Sequence, residues 1–84
     1  MRLKEWRQSR GLSMGEAAQL LGLGFAASYN RYETGENRPA APMVERILRI
    51  TEQVVGLEDL HRQRLDWLRD KRPDLFALAT EAAE

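Results

Sequence analysis

Arg31 sits between Tyr29 and Tyr32 in the stretch GFAASYNRYETGENRP, Gly24 to Pro39. An arginine so placed either holds a fold together or is aimed at a partner. Its planar fork donates two parallel hydrogen bonds, which suits the O6 and N7 of guanine, and Ser28 and Asn30 beside it can donate or accept. Other chemistry is hard to assemble from these residues. Asp66 and Asp70 are spaced i, i+4 with Arg69 close by, which reads as a solvated, salt-bridged helix face rather than an acid–base pair. With no cysteine there is no thiol nucleophile, disulfide framework or Cys-based zinc site, and the single His61 cannot form a metal site without help. No nucleophile with an adjacent base and no phosphate-cradling glycine loop occurs. The expectation is a protein that is not an enzyme and holds no cofactor or metal.

At 84 residues the chain can make one compact domain with a limited core. Lys plus Arg and Asp plus Glu each count 13, so no bulk field announces a polyanion or a membrane surface. Residues 1–56 carry eight Lys/Arg against six Glu, and residues 57–84 carry five against seven Asp/Glu, so the first part is mildly basic and the tail mildly acidic. No apolar run approaches the roughly 18 residues of a membrane span, and the charged start lacks the apolar segment of a secretory signal. The expected location is the cytoplasm.

The elements that must position Arg31 follow from the pattern of apolar and punctuating residues. Leu3, Trp6 and Arg7 lie at helical spacing before Gly11. Ser13 and Glu16 form a capping box ahead of Ala17, Leu20 and Leu21, and Gly22-Leu23-Gly24 makes a tight turn. Ala26, Tyr29 and Tyr32, with Phe25 beside them, predict a short third helix that Gly35 closes. Pro42 opens a fourth helix carrying Val44, Ile47, Leu48 and Thr51, and Gly56 breaks it. A fifth runs from Leu57 to about Arg72, with Leu57, Leu60, Trp67 and Leu68 on one face, and Leu75, Leu78, Ala79 and Ala82 suggest a last helix. Trp6 and Trp67 are read as core. No segment alternates with period two, so the fold class is all-α.

Three motifs in register, LKEWRQSRGLS, EAAQLLGL and RYETGENRP, resemble the Cro/C1-type (XRE-like) helix-turn-helix family over Leu3 to Thr51. Glu33, Gly35 and Pro39 match the family's Glu-x-Gly-x-x-x-Pro. One extra turn residue, Gly24, departs from the usual spacing, and the longer turn followed by an aromatic and Arg-Tyr-Glu is similar to that of MqsA-type antitoxins. The resemblance implies a lambda-repressor-like helix-turn-helix bundle over residues 1–56, with a C-terminal helical extension over 57–84 for packing or dimerisation. It makes the third helix the DNA-reading helix and Arg31 its foremost base-contacting residue, with Ala27, Ser28 and Asn30 beside it. Ala27, where those antitoxins carry Asn, offers only a methyl to a thymine.

Phosphate contacts are expected from Thr34, Asn37 and Arg38 and from the backbone at the helix starts, Met14 and Ala26. Met14 stands where most Cro/C1-like members carry Gln. Arg7 and Glu33 occupy the positions of the family's ion pair between helices one and three. The function so implied is a sequence-specific regulator of phage or mobile-element type, binding double-stranded DNA as a homodimer on a palindromic operator and repressing by promoter occupancy. The alternative is an antitoxin or anti-regulator that grips a protein partner through residues 57–84.

Overall fold

The computed structural model describes residues 1–76, which form five helices: α1 (Leu3–Ser9), α2 (Met14–Leu20), α3 (Ala26–Thr34), α4 (Ala41–Ile50) and α5 (Leu57–Lys71). A helical turn follows at 73–76, and no strand occurs among the described residues. Leu78, Ala79 and Ala82 of the expected last helix lie outside the described residues.

Local chemistry sets most of the boundaries. At the start of α2 the Ser13 hydroxyl accepts from the Glu16 N–H at 3.1 Å while the Glu16 carboxylate accepts from the Ser13 N–H at 2.9 Å. Two orphan donors are thereby satisfied. α2 closes through Gly22, at φ 72°, with the Leu23 N–H donating to the Ala18 carbonyl at 2.8 Å, the six-to-one bond of a glycine C-cap. The Arg46 guanidinium of α4 donates to the Leu21 carbonyl at 2.8 Å, satisfying another free acceptor at that end.

α4 departs from expectation. It stops at Ile50 instead of running to Gly56, because Glu52 and Gln53 adopt φ of 54° and 62°. Glycine is not used, yet the closure has the same form: Glu52 N–H to Arg49 O at 3.2 Å and Gln53 N–H to Leu48 O at 2.8 Å. Thr51 accounts for it. Wholly buried, its hydroxyl donates to Ile47 O at 2.7 Å and accepts from Val55 N–H at 3.4 Å, folding the chain back so that Val55 enters the core.

The core draws on all five helices: Leu3, Trp6, Ala17, Ala18, Leu21, Tyr29, Ile47, Val55 and Leu60. The small Ala17 and Ala18 let α2 pack closely on α3, the most extensive helix pairing among the described residues. Several apolar side chains of the expected helix faces stay outside it, Leu20 at 49% exposed among them. Phe25 precedes α3 as its N-cap and is 76% exposed, Leu57 is 63% exposed, and Trp67 is half-buried beneath the Arg64 guanidinium, 5.3 Å from its ring centroid. The Asp66–Asp70 face is solvated and salt-bridged as expected, with Arg2 and Lys71 rather than Arg69 as the paired cations. Asp66 pairs with Arg2 at 2.7 Å, Asp70 with Lys71 at 3.4 Å, and Arg69 lies over the Phe76 ring.

α5 is seated by polar contacts as well as by Leu60. Gln63, buried, accepts from the Leu3 N–H at 2.9 Å and donates to the Tyr32 carbonyl at 2.8 Å, joining the start of α1 to α3. The Leu3 N–H belongs to the first turn of α1, which has no intrahelical acceptor for it. Gly35, at φ 89°, lies so close to α5 that a Cβ there would run into the Gln63 carbonyl.

Two glycine substitutions separate backbone conformation from packing. Gly22→Ala places its Cβ against the flexible end of Arg46, so it should cost only the left-handed penalty of about 1–2 kcal/mol. Gly35→Ala meets backbone that cannot give, and a further loss of about 1–3 kcal/mol is expected from the forced displacement of α5. Urea unfolding of both variants checks this; equal losses would contradict the close approach.

Candidate nucleic-acid interface

The rotation of α3 about its axis is set from the inside. Tyr29 is fully buried, its phenol donating to the Leu3 carbonyl at 3.4 Å, and Tyr32 is half-buried against the core. With that side committed, Ala27, Arg31 and Thr34, at i, i+4 and i+7, form one exposed stripe. Ser28 and Asn30 flank it, partly exposed.

The loop after α3 folds back beneath this stripe. Thr34 Oγ1 donates to the Arg31 carbonyl at 3.3 Å and accepts from the Glu36 N–H at 3.3 Å, and the Asn37 N–H also reaches the Arg31 carbonyl at 3.1 Å. Asn37 and Arg38 are thereby brought, exposed, to the same end of the helix as Arg31. Arg64 of α5 holds the loop from behind, donating to the carbonyls of Gly35 at 2.9 Å and Glu36 at 2.6 Å. The Arg31 side chain is about half exposed (52%), and its Nε lies 3.8 Å from the Glu36 carboxylate.

Met14 and Ala26 are the first residues of α2 and α3. The Met14 side chain packs against the core, so any contact it makes with a phosphate must come through its backbone N–H, which has no acceptor within the helix. The Ser13 carboxylate partner Glu16 holds a pKa below the ordinary value through its bonds to Ser13. Phe25 caps α3 without a side-chain hydrogen bond, which leaves the first N–H groups of the helix available to an anion.

Behind the stripe, Arg7 and Glu33 join α1 to α3 in a bidentate pair, Nε–Oε2 2.9 Å and Nη2–Oε1 3.1 Å, while Nη1 donates to the Leu12 carbonyl at 3.1 Å. Their side chains are 12% and 4% exposed. The hydrogen bond to Glu33 raises the Arg7 pKa above its already high ordinary value. Burial, followed by the nearby Glu33 carboxylate, pushes the Tyr29 phenol well above the usual tyrosine range. Both groups keep their ordinary charge at neutral pH, Arg7 cationic and Tyr29 neutral.

Glu36, Gln63 and Arg64 were not among the expected site residues. Only Glu36 carried a signal, its place in the Gly-Glu-Asn-Arg-Pro turn; the other two reach the site from α5 across 28 to 31 positions. Elsewhere a shallow groove of about 460 Å³ runs between Arg38 to Glu45 and Leu57. Among the described residues no group of His, Asp and Glu is arranged to hold a metal ion, and no helix is long and apolar enough to cross a membrane.

A family model described as a helix-turn-helix domain matches residues 1–60, from the start of the chain through the first turn of α5. No curated protein and no solved structure matches the chain.

The buried pair and the phenol are separately testable. Glu33→Gln leaves the Arg7 charge uncompensated and should cost about 3 kcal/mol or more, whereas the double change Arg7→Met with Glu33→Leu should lose less than the single one. Equal or greater loss in the double variant, by urea unfolding, would show the pair to be a net stabiliser. The folded-state phenol of Tyr29 is raised, so above about pH 10 the unfolded chain releases its proton first. The stability it contributes is full below that pH and falls as pH rises past it. Tyr29→Phe should flatten that alkaline loss in a pH series of thermal unfolding.

Proposed function

The chain belongs to the helix-turn-helix domain family, and on that premise we propose that it is a sequence-specific DNA-binding transcriptional regulator of Cro/C1 type, with a turn between α2 and α3 lengthened as in MqsA-type antitoxins. The observation that carries this reading is the exposed stripe Ala27, Arg31, Thr34 on a helix whose other side is held by Tyr29 and the Arg7–Glu33 pair. In this reading α3 lies in the major groove. Arg31 donates to guanine O6 and N7, Ser28 and Asn30 take neighbouring base edges, and Ala27 presents a methyl to thymine. Thr34, Asn37, Arg38 and the backbone N–H groups of Met14 and Ala26 meet phosphates and set the register without carrying sequence information.

Affinity in a chain of zero formal net charge comes from these local contacts rather than from a bulk field. A single helix-turn-helix reads half a site, so the regulator works as a homodimer on a palindromic operator and represses by occupying a promoter in the cytoplasm. Leu57, Val54 and the groove that Leu57 shares with Pro39, Ala40 and Val44 support the pairing, since they offer apolar surface to a second copy. Two-fold pairing through such a surface must set the two α3 helices about 34 Å apart, one turn of DNA. The same apolar surface favours the second reading, an antitoxin or anti-regulator, if a different protein occupies it.

Titration of wild type, Arg31→Ala and Arg38→Ala against upstream DNA of its own gene and scrambled DNA, over a salt series, tests the DNA reading. Arg31→Ala should lose about 1–3 kcal/mol of discrimination, and Arg38→Ala should weaken binding to all sequences alike with the salt slope reduced by about one. A wild type without preference for any sequence would sink this reading. Leu57→Glu should turn a dimer into a monomer in sedimentation and weaken binding to a full operator far more than to a half-site. A stoichiometric foreign partner lost with the same variant would instead support the antitoxin reading.

A further inference from the structure

Glu36 is a carboxylate set among the residues proposed to meet phosphates, where its charge opposes DNA. Its neighbours are Thr34 at the end of α3 and Asn37 and Arg38 in the loop that follows. Its backbone does not drift: the N–H donates to Thr34 Oγ1 at 3.3 Å, and the carbonyl accepts from Arg64 at 2.6 Å, with Arg64 itself stacked on Trp67. The side chain, about half exposed, faces Arg31, and the approach is to Nε, at 3.8 Å. An exposed pair at this distance contributes little to folding. What it does change is the choice among the many orientations open to a long arginine side chain.

We propose that Glu36 is a positioning residue for Arg31, drawing the Nε edge of the guanidinium toward itself so that both Nη groups stand end-on to the O6 and N7 of one guanine. The inference rests on the DNA reading above and adds to it the device that sets sequence choice. Arg64 belongs to the same device, since it anchors the backbone from which the carboxylate extends. The arrangement weakens attraction to DNA in general and sharpens selection at one base pair, so the two effects have opposite signs in one variant.

The probes are a duplex selected by the wild type from a randomised library, the same duplex with each guanine in turn changed to adenine, and the unselected random mixture. Glu36→Gln should bind the random mixture about twofold to threefold more tightly, because a negative charge has left the DNA-facing surface. Its guanine-over-adenine preference at one position should fall by about fivefold, within the range a bidentate arginine contact contributes. In the Arg31→Ala background, Glu36→Gln should leave that preference unchanged. Thermal unfolding of Glu36→Gln should match the wild type, which separates the effect from folding. A preference that is unchanged or increased in Glu36→Gln overturns the proposal, an increase meaning that Glu36 competes with guanine for Arg31. If the wild type selects no guanine that Arg31→Ala loses, the base-reading role of Arg31 itself fails and this proposal with it.

Discussion

The close approach of α5 to Gly35 governs where everything on the exposed side of α3 can be. The Gln63 carbonyl stands where a side chain on residue 35 would be, and the Gln63 amide links the Leu3 N–H to the Tyr32 carbonyl. Three helices are therefore tied at one buried side chain, with both hydrogen-bonding ends of the amide occupied. Neighbouring Arg64 continues the contact to the carbonyls of Gly35 and Glu36. A buried amide is costly unless paired, and here its pairing is also what sets the end of α3 and the loop beyond it.

α3 is consequently a helix with two separate duties. Its inner side holds Tyr29 and the Glu33 end of the pair with Arg7. A partly buried ion pair is a weak source of net stability but a strict one of register, since either partner alone is penalised. Its outer side needs no packing at all, so Ala27, Arg31 and Thr34 are free to be selected for a partner. The terminal chemistry of the helices serves the same end: the capping box at Ser13 fixes where α2 begins, and the Gly22 closure with Arg46 behind it fixes where the turn into α3 begins.

Sequence reasoning reached furthest where a few adjacent residues decide the outcome. The capping box, the glycine turn, Pro42 in the first turn of α4 and the placing of Gly35 after α3 are all matters of local backbone energetics, and they lie in the chain to be read. It fell short where burial competes with local preference. The early stop of α4 depends on Thr51 being pulled into the core, which puts Glu52 and Gln53 in a conformation that their own residue types disfavour. Phe25, Leu57 and Trp67 have the periodicity of inward residues, yet with nine residues already filling a small core their rings and chains are left at or near the surface.

By itself, then, the sequence determined an all-α fold class, the order and most of the limits of the five helices among the described residues, and a short helix carrying Arg31 between two tyrosines. These follow from caps, turns and spacing within a few residues, where the interacting groups are neighbours along the chain. Only the tertiary structure decided that Glu36 faces Arg31, and that Gln63 and Arg64 hold α3 and the loop after it from the far side. Those contacts join residues distant in the chain, and their partners are chosen by which helix faces meet once the core has closed. No spacing in the sequence encodes that meeting, because it is a property of the packed helices together.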